Sequence, residues 1–272
     1  MKLMSFTKNG IPGFGPVKDG NVVNLSHEYP DLKNFLASSG RWTDGELIAL
    51  SDVKFEPVIP NPGKIICVGV NYASHIAEMG REPGEYPLLF TRFANSQVGH
   101  NEPMLVPQES DKFDYEGELA VIIGEGGRKI SENNAMKAIA GYSCYNDGSI
   151  RDWQRHTSQF TAGKNFMSTG GFGPWLVTRD EIENPSDLQI ETRLNGKIMQ
   201  SAPISDLVFN IPKLIAYIST FTELEPGDVI ITGTTGGVGA ARKPPVWMKN
   251  GDKVEVCISK IGTLVNPIKD AS

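Results

Sequence analysis

Apolar positions recur along the chain in two periods, and most of them describe strands. Continuous apolar runs at 64–70, 88–93, 118–123 and 229–232 are bounded by Gly, Pro or charged residues, the pattern of strands buried on both faces. Ile211, Leu214, Ile215, Ile218 and Phe221 instead fall on one face of a helix that opens at Asn210 and Pro212. Asn195-Gly196, set between 190–194 and 197–199, predicts a two-residue hairpin turn. A final pair, 253–258 and 263–268, meets around Ile261-Gly262. Shorter helices are expected around 31–38, over 71–80 with Gly80 as terminator, and from an N-cap at Ser131 through Ala135, Met136 and Ile139 to Gly141. Strands outnumber helices without regular βαβ alternation, so the fold class is α+β. Residues 1–62 form a small β-rich N-terminal unit, ending in the proline-dense linker 56–63, and 63–272 form the larger one.

Composition narrows the function classes. The 272 residues are 39% hydrophobic and 21% charged, with 29 Gly and 18 Pro, as in a turn-rich globular chain able to bury an ordinary core. The net charge of −6 is spread without runs, which argues against nucleic acid or an anionic membrane as partners. No apolar run reaches membrane-spanning length. Cys67, Cys144 and Cys257 are scattered among apolar neighbours with no CxxC spacing. They read as reduced buried thiols, and with no signal-like N-terminus the expected location is cytoplasmic.

The candidate chemistry centres on Asp114-Tyr115-Glu116-Gly117-Glu118. In a strand, residues two apart share a face, so Glu116 and Glu118 project side by side at the mouth of an apolar run. Like-charge repulsion makes that pairing costly unless a cation sits between them. Asp147 is a third candidate ligand. Oxygen donors without a nearby Cys pair favour Mg²⁺ or Mn²⁺ over Zn²⁺. His75 and Glu78 are three apart on the predicted helix, where a carboxylate can orient an imidazole as a base, although the spacing alone fits a surface pair equally well. Lys164 follows Ala162-Gly163, small neighbours that allow a close approach to an anion. The 232–239 segment, rich in Gly and Thr, either cradles an anion with backbone N–H groups or is a tight structural turn.

Taken together these stretches resemble the fumarylacetoacetate hydrolase family. The resemblance rests on Gly69-Val70-Asn71-Tyr72 with His75 and Glu78, on 114–118, on Asn146-Asp147 with Arg151, Asp152 and Gln154, and on Gly163-Lys164. Residues 173–178, 226–230 and Thr232-Gly233-Thr234 extend it, so that it spans roughly 60–268. It implies a mixed β-sandwich roll with a small N-terminal domain, assembled as a homodimer. It also implies Mg²⁺ or Mn²⁺ held by Glu116, Glu118 and Asp147, and a water-activating dyad of His75 and Glu78 on a segment that orders with substrate. Lys164 would stabilise an oxyanion or enolate, and Arg151, Gln154 and Thr234 would contact substrate. Three positions depart from the family pattern. Thr235 stands where Pro is common, Asn165-Phe166 follows Gly163-Lys164 unusually, and Arg92 replaces a frequent Lys. As a bidentate donor, Arg92 is a candidate reader of a distal substrate carboxylate, or else simply lies on a strand.

The expected activity is hydrolytic C–C cleavage of a 2,4-diketo acid of the acylpyruvate or fumarylpyruvate type, in the catabolism of aromatic compounds. Oxaloacetate decarboxylation comes second, and isomerisation or hydration of an unsaturated 2-oxo diacid third. A non-catalytic keto-acid-binding protein is the alternative of another class, and the dyad with Lys164 argues against it.

Overall fold

The computed structural model describes residues 1–272 except 39, 79, 81, 83 and 272. A twelve-stranded sheet is its backbone. Ten of its strands form one path, with Lys54–Phe55 and Gln97–Val98 pairing off it, and the path runs from the edge strand Glu46–Ala49 through Asn21–Asn24, Ile11–Lys18 and Lys2–Lys8. It continues through Gly170–Thr178, Ile139–Asn146, Gly117–Ile123, Val229–Thr234 and Ile65–Gly69, and ends on Leu88–Arg92. A five-stranded sheet packs against it, in the order Lys197–Pro203, Gln189–Leu194, Lys253–Ile258, Gly262–Asp270, Met104–Val106. Mixed sheets with a few helices make the fold α+β, as the apolar periods imply. Among the described residues no helix is long and apolar enough to cross a membrane.

The strand Gly117–Ile123 explains its own sequence. Leu119, Val121 and Ile123 point toward the second sheet and pack with Ile190, Val256, Ile258 and Leu264, together with Leu214, Ile215 and Ile218 of the helix Ile211–Phe221. Ala120 and Ile122 point the other way, into a core shared with Leu3, Phe14, Cys67, Tyr145 and Phe172. Burial on both faces removes the polar alternation of a half-exposed strand. Each large aliphatic buried here contributes about 1.5–3 kcal/mol. Residues 1–62 are β-rich, and their sheet is continuous with the larger unit: Lys2 and Leu3 pair with Val177 and Leu176.

Most local expectations meet their elements. Asn195 and Gly196, both at positive φ, turn the hairpin Gln189–Leu194/Lys197–Pro203. Asn210 caps the helix Ile211–Phe221 by accepting from the Lys213 N–H. The helix expected from Ser131 to Gly141 is shorter. Glu132–Ala135 is helical and Met136–Ala138 is a 3₁₀ turn, after which Ile139 opens a strand. Ile139 pairs with Ile123 and Gly141 with Ile122, so strand pairing overrides the local helical pattern. The polar run 81–87 reads in the sequence as a loop that could close over a neighbouring site, and its Arg81 and Pro83 lie outside the described residues.

Candidate metal centre and acid–base dyad

Strand register assembles the acidic centre. Gly117 pairs with Asn146, and the Asp147 N–H donates to the Glu116 carbonyl at 2.8 Å, so Asp147 leaves its strand beside Glu116. The Asn146 side chain accepts from the Glu116 N–H at 3.0 Å and fixes that corner. On the other side the pairing of Gly117–Ile123 with Val229–Thr234 slips between Glu118 and Ala120, a bulge that re-aims the side chain. Gly233, at φ +109°, donates its N–H to Glu118 Oε2 at 2.5 Å, and a Cβ there would lie 2.7 Å from Asn71 Cβ. Only glycine fits both demands. One carboxylate oxygen from each of Glu116, Glu118 and Asp147 falls within 4.8 Å of the others, and all three residues are buried.

The cations around this trio are buried as well. Lys164 Nζ donates to Glu116 Oε2 at 2.6 Å and to Asp147 Oδ2 at 2.7 Å, and lies 5.1 Å from the centre of the Phe90 ring. Arg151 Nε donates to Asp114 at 2.8 Å, one Nη donates to Gln154 at 2.9 Å, and the other lies 2.6 Å from Glu116 Oε1. Arg92 pairs with Asp147 Oδ1 at 2.6 Å and also donates to the Gly148 carbonyl, Thr169 and Ser96. The expectation that Arg92 reads a distal substrate carboxylate does not survive these surroundings. Its guanidinium is completely enclosed and stands behind Asp147 as that residue's counter-ion.

Electrostatics separates the two glutamates. Burial opposes the Glu116 carboxylate, but Arg151 and Lys164 outweigh it and hold its pKa down at about 2. Burial, then repulsion from Asp147 and Glu116, pushes Glu118 well above the carboxylate range. Burial also opposes the Lys164 ammonium, yet Asp147 and Glu116 keep its pKa above the ordinary lysine value. Four buried carboxylates (Asp114, Glu116, Glu118, Asp147) face three buried cations (Arg92, Arg151, Lys164), and Glu118 has no cationic partner among the described residues. An all-oxygen trio with one uncompensated charge fits Mg²⁺ or Mn²⁺.

The dyad adjoins this centre. The strand Ile65–Gly69 ends in Val70 at φ +56°, a left-handed conformation that costs a β-branched residue on the order of 1–3 kcal/mol. Asn71 over-determines the turn: its side chain accepts from Phe209 N–H and donates to the Phe209 and Thr232 carbonyls. The helix Ala73–Glu78 follows, with His75 Nδ1 3.2 Å from Glu78 Oε2. His75 is buried, and its helix docks through Ser74 and Glu78 on Gly236 and Gly237, just past the Thr234 that pairs with Glu118, so the dyad helix lies beside the acidic centre.

The Gly- and Thr-rich loop cradles anions, but they belong to the protein. The Gly237 N–H donates to Glu78 Oε1 at 3.0 Å, the Gly236 N–H to Ser74 Oγ at 3.3 Å, and the Gly239 and Ala240 N–H groups to Asp114. The Thr234 hydroxyl donates to the Gly117 carbonyl at 3.0 Å and accepts from Gln200 Nε2 at 2.8 Å. Sequence reasoning missed Asp114 and Gln200 as members of the site. Asp114 sits inside the glutamate motif, but nothing local marks Gln200, whose partners are far away in the chain.

The model of the fumarylacetoacetate hydrolase C-terminal region matches residues 64–269. The mitochondrial oxaloacetate tautomerase fahd2 of Xenopus laevis is 37% identical over 98% of this chain and 90% of its own length. Oxaloacetate tautomerase YisK of Bacillus subtilis is 43% identical over 82% of this chain and 75% of its own. Among solved structures, the fumarylacetoacetate hydrolase of Exiguobacterium antarcticum superposes with a TM-score of 0.88 at 35% identity, covering both chains fully. Maleylpyruvate hydrolase of Sphingobium, in complex with manganese(II) and pyruvate, gives 0.82 at 26% identity, again covering both chains.

Proposed function

The chain belongs to the fumarylacetoacetate hydrolase family, and from that premise we propose that it is an Mg²⁺- or Mn²⁺-dependent enzyme interconverting the keto and enol forms of oxaloacetate. The observation that carries the reading is the placement of a buried His75, paired with a partly exposed Glu78, beside three convergent carboxylates. The two oxaloacetate tautomerases similar to this chain support the choice of substrate. Oxaloacetate therefore moves ahead of the 2,4-diketo acids expected first from the sequence. C–C hydrolysis becomes the second reading, favoured by the maleylpyruvate hydrolase neighbour.

Glu116, Glu118 and Asp147 would hold a divalent cation, which would supply Lewis-acid polarisation of a bound 2-oxo acid. His75 then takes a proton from C3, the carbon between the keto group and the distal carboxylate. Glu78 at Nδ1 fixes the tautomer and leaves Nε2 to act as the base. The Lys164 ammonium faces the negative charge that develops on the keto oxygen. Arg151, backed by Asp114, holds Gln154 and orients the substrate. Delivery of the proton from His75 to the keto oxygen gives the enol and returns the imidazole to neutrality, so only a proton changes place.

The test follows enol-oxaloacetate by its ultraviolet absorbance with Mg²⁺ or Mn²⁺, with and without chelator, while pyruvate release and acylpyruvate cleavage are measured in parallel. Interconversion faster than with the metal ion alone, abolished by chelator, is the expected result. A higher kcat/KM for acylpyruvate cleavage would transfer the assignment to hydrolysis. Binding of oxaloacetate without any turnover would sink the enzyme reading.

A further inference from the structure

We propose that Gln200, on the second sheet, is a positioning residue for the carboxylate centre, and that it commits the proton of the Thr234 hydroxyl to the Gly117 carbonyl. The inference rests on the metal-site reading given above. Gln200 comes from the strand Lys197–Pro203 and is 2% exposed. Its Oε1 accepts from the Gly117 N–H at 2.9 Å, and its Nε2 donates to Thr234 Oγ1 at 2.8 Å and to the Thr235 carbonyl at 3.0 Å.

The direction of every bond in this set is fixed by its backbone members. A backbone N–H can only donate, so the atom facing Gly117 is the amide oxygen; a carbonyl can only accept, so the atom facing Thr235 is the amide nitrogen. The Thr234 hydroxyl therefore accepts a hydrogen bond from Gln200 and donates its own to the Gly117 carbonyl, 3.0 Å away. With its single proton committed, Thr234 cannot donate to a substrate carboxylate. Gly117 lies between the two metal-site glutamates, and its N–H and carbonyl are both held by this one network. The second sheet reaches it closely: a Cβ on Gly117 would lie 1.9 Å from Thr192 Oγ1, so no other residue leaves room for that approach. The amide of Gln200 thus sets the backbone between Glu116 and Glu118, and with it the spacing of their carboxylates. On this proposal, the substrate contact that the family resemblance implies for Thr234 does not use the hydroxyl proton.

Outer residues that hold metal ligands typically change metal affinity about 10- to 100-fold when altered. Calorimetric titration of the whole protein with Mn²⁺ should show a loss of that size for Gln200→Met, which keeps the shape without the amide, and for Thr234→Val. Thr234→Ser should restore affinity. The double variant Gln200→Met with Thr234→Val should lose no more than the worse single one, because the two groups act as a unit. With oxaloacetate at saturating metal, kcat should fall for both variants while KM stays within about twofold, since neither group touches substrate. If Thr234→Val raises KM tenfold with Mn²⁺ affinity intact, the proposal is overturned. Should Gln200→Met not fold, the Val and Ser variants at Thr234 still decide. Failure of the parent protein to bind Mn²⁺ would instead defeat the metal-site reading, a result distinct from unchanged affinity in the variants.

Discussion

The acidic centre and the dyad helix lie side by side yet are held in opposite ways. Glu116, Glu118 and Asp147 issue from adjoining strands in the middle of a twelve-stranded sheet, each buried and each tied to backbone groups or buried cations. His75 and Glu78 ride on six residues, Ala73–Glu78, whose polar anchorage to the loop beside them is Ser74 on Gly236 and Glu78 on Gly237. Strand register sets the first region, and a change there disturbs a cooperative sheet. A few local contacts set the second. On the proposed function, holding a cation and moving a proton fall to parts of the molecule that mutation can separate.

The largest expected effect tests that separation directly. His75→Ala should slow keto–enol interconversion on the order of 10²–10⁴-fold, the usual worth of a positioned general base. Mn²⁺ affinity measured by calorimetry should stay at the parent value. Any pyruvate release from oxaloacetate should persist, because loss of CO₂ requires no base at C3. A fall in Mn²⁺ affinity matching the fall in rate would show that the two regions are one.

A second substitution probes the centre alone. Glu118→Gln should weaken Mn²⁺ binding by about a hundredfold, at the upper end of what disturbance of a metal site costs, yet should raise the thermal stability of the metal-free protein. The sign follows from linkage. Burial and repulsion from Asp147 and Glu116 lift the Glu118 pKa in the fold well above its ordinary 4.5. Its contribution to stability is fully present below that ordinary value and is lost as pH rises toward the folded pKa. Glu116 runs the other way: held at about 2 against burial by Arg151 and Lys164, it contributes above 4.5 and loses that contribution as pH falls toward 2. In chelator, the advantage of the Gln variant over the parent should therefore grow as pH rises above about 4.5; with saturating Mn²⁺ the parent should unfold at the higher temperature. Melting curves across pH, with and without Mn²⁺, read both. A variant less stable than the parent at every pH in chelator would mean that Glu118 is not electrostatically strained.

The same contrast marks what was legible in the sequence. Glu116 and Glu118 could be read because two residues apart in a strand means one face, and the apolar run behind them announces the strand. His75 and Glu78 could be read because three apart on a helix means contact. Gln200 could not, since it meets Gly117 across 83 positions and from another sheet. Arg92 carries the right group for a substrate carboxylate, and only tertiary placement puts it behind Asp147. The helix expected to run to Gly141 fails for a related reason: local pattern favours it, but Ile139 and Gly141 have strand partners at Ile123 and Ile122 that local pattern does not contain.

The smallest effect comes from the contact that docks the dyad helix. Ser74 is exposed, and its hydroxyl accepts one hydrogen bond from the Gly236 N–H at 3.3 Å, a long one. A typical neutral hydrogen bond contributes about 0.5–1.5 kcal/mol net. Ser74→Ala forfeits it, but alanine is the better helix former by about 0.5 kcal/mol, so thermal stability should hardly move. The rate should still respond, because Ser74 and Glu78 grip successive glycines, and weakening one leaves Glu78 alone to fix where His75 sits. We expect kcat/KM to fall by a factor of about two to ten with Mn²⁺ affinity unchanged, which steady-state kinetics and calorimetry on the same preparation can check. Equal losses in Mn²⁺ affinity would place the anchorage of the helix within the acidic centre itself. A rate unchanged within error would assign the docking of the helix to Glu78 and to the buried Tyr72 and Ile76 instead.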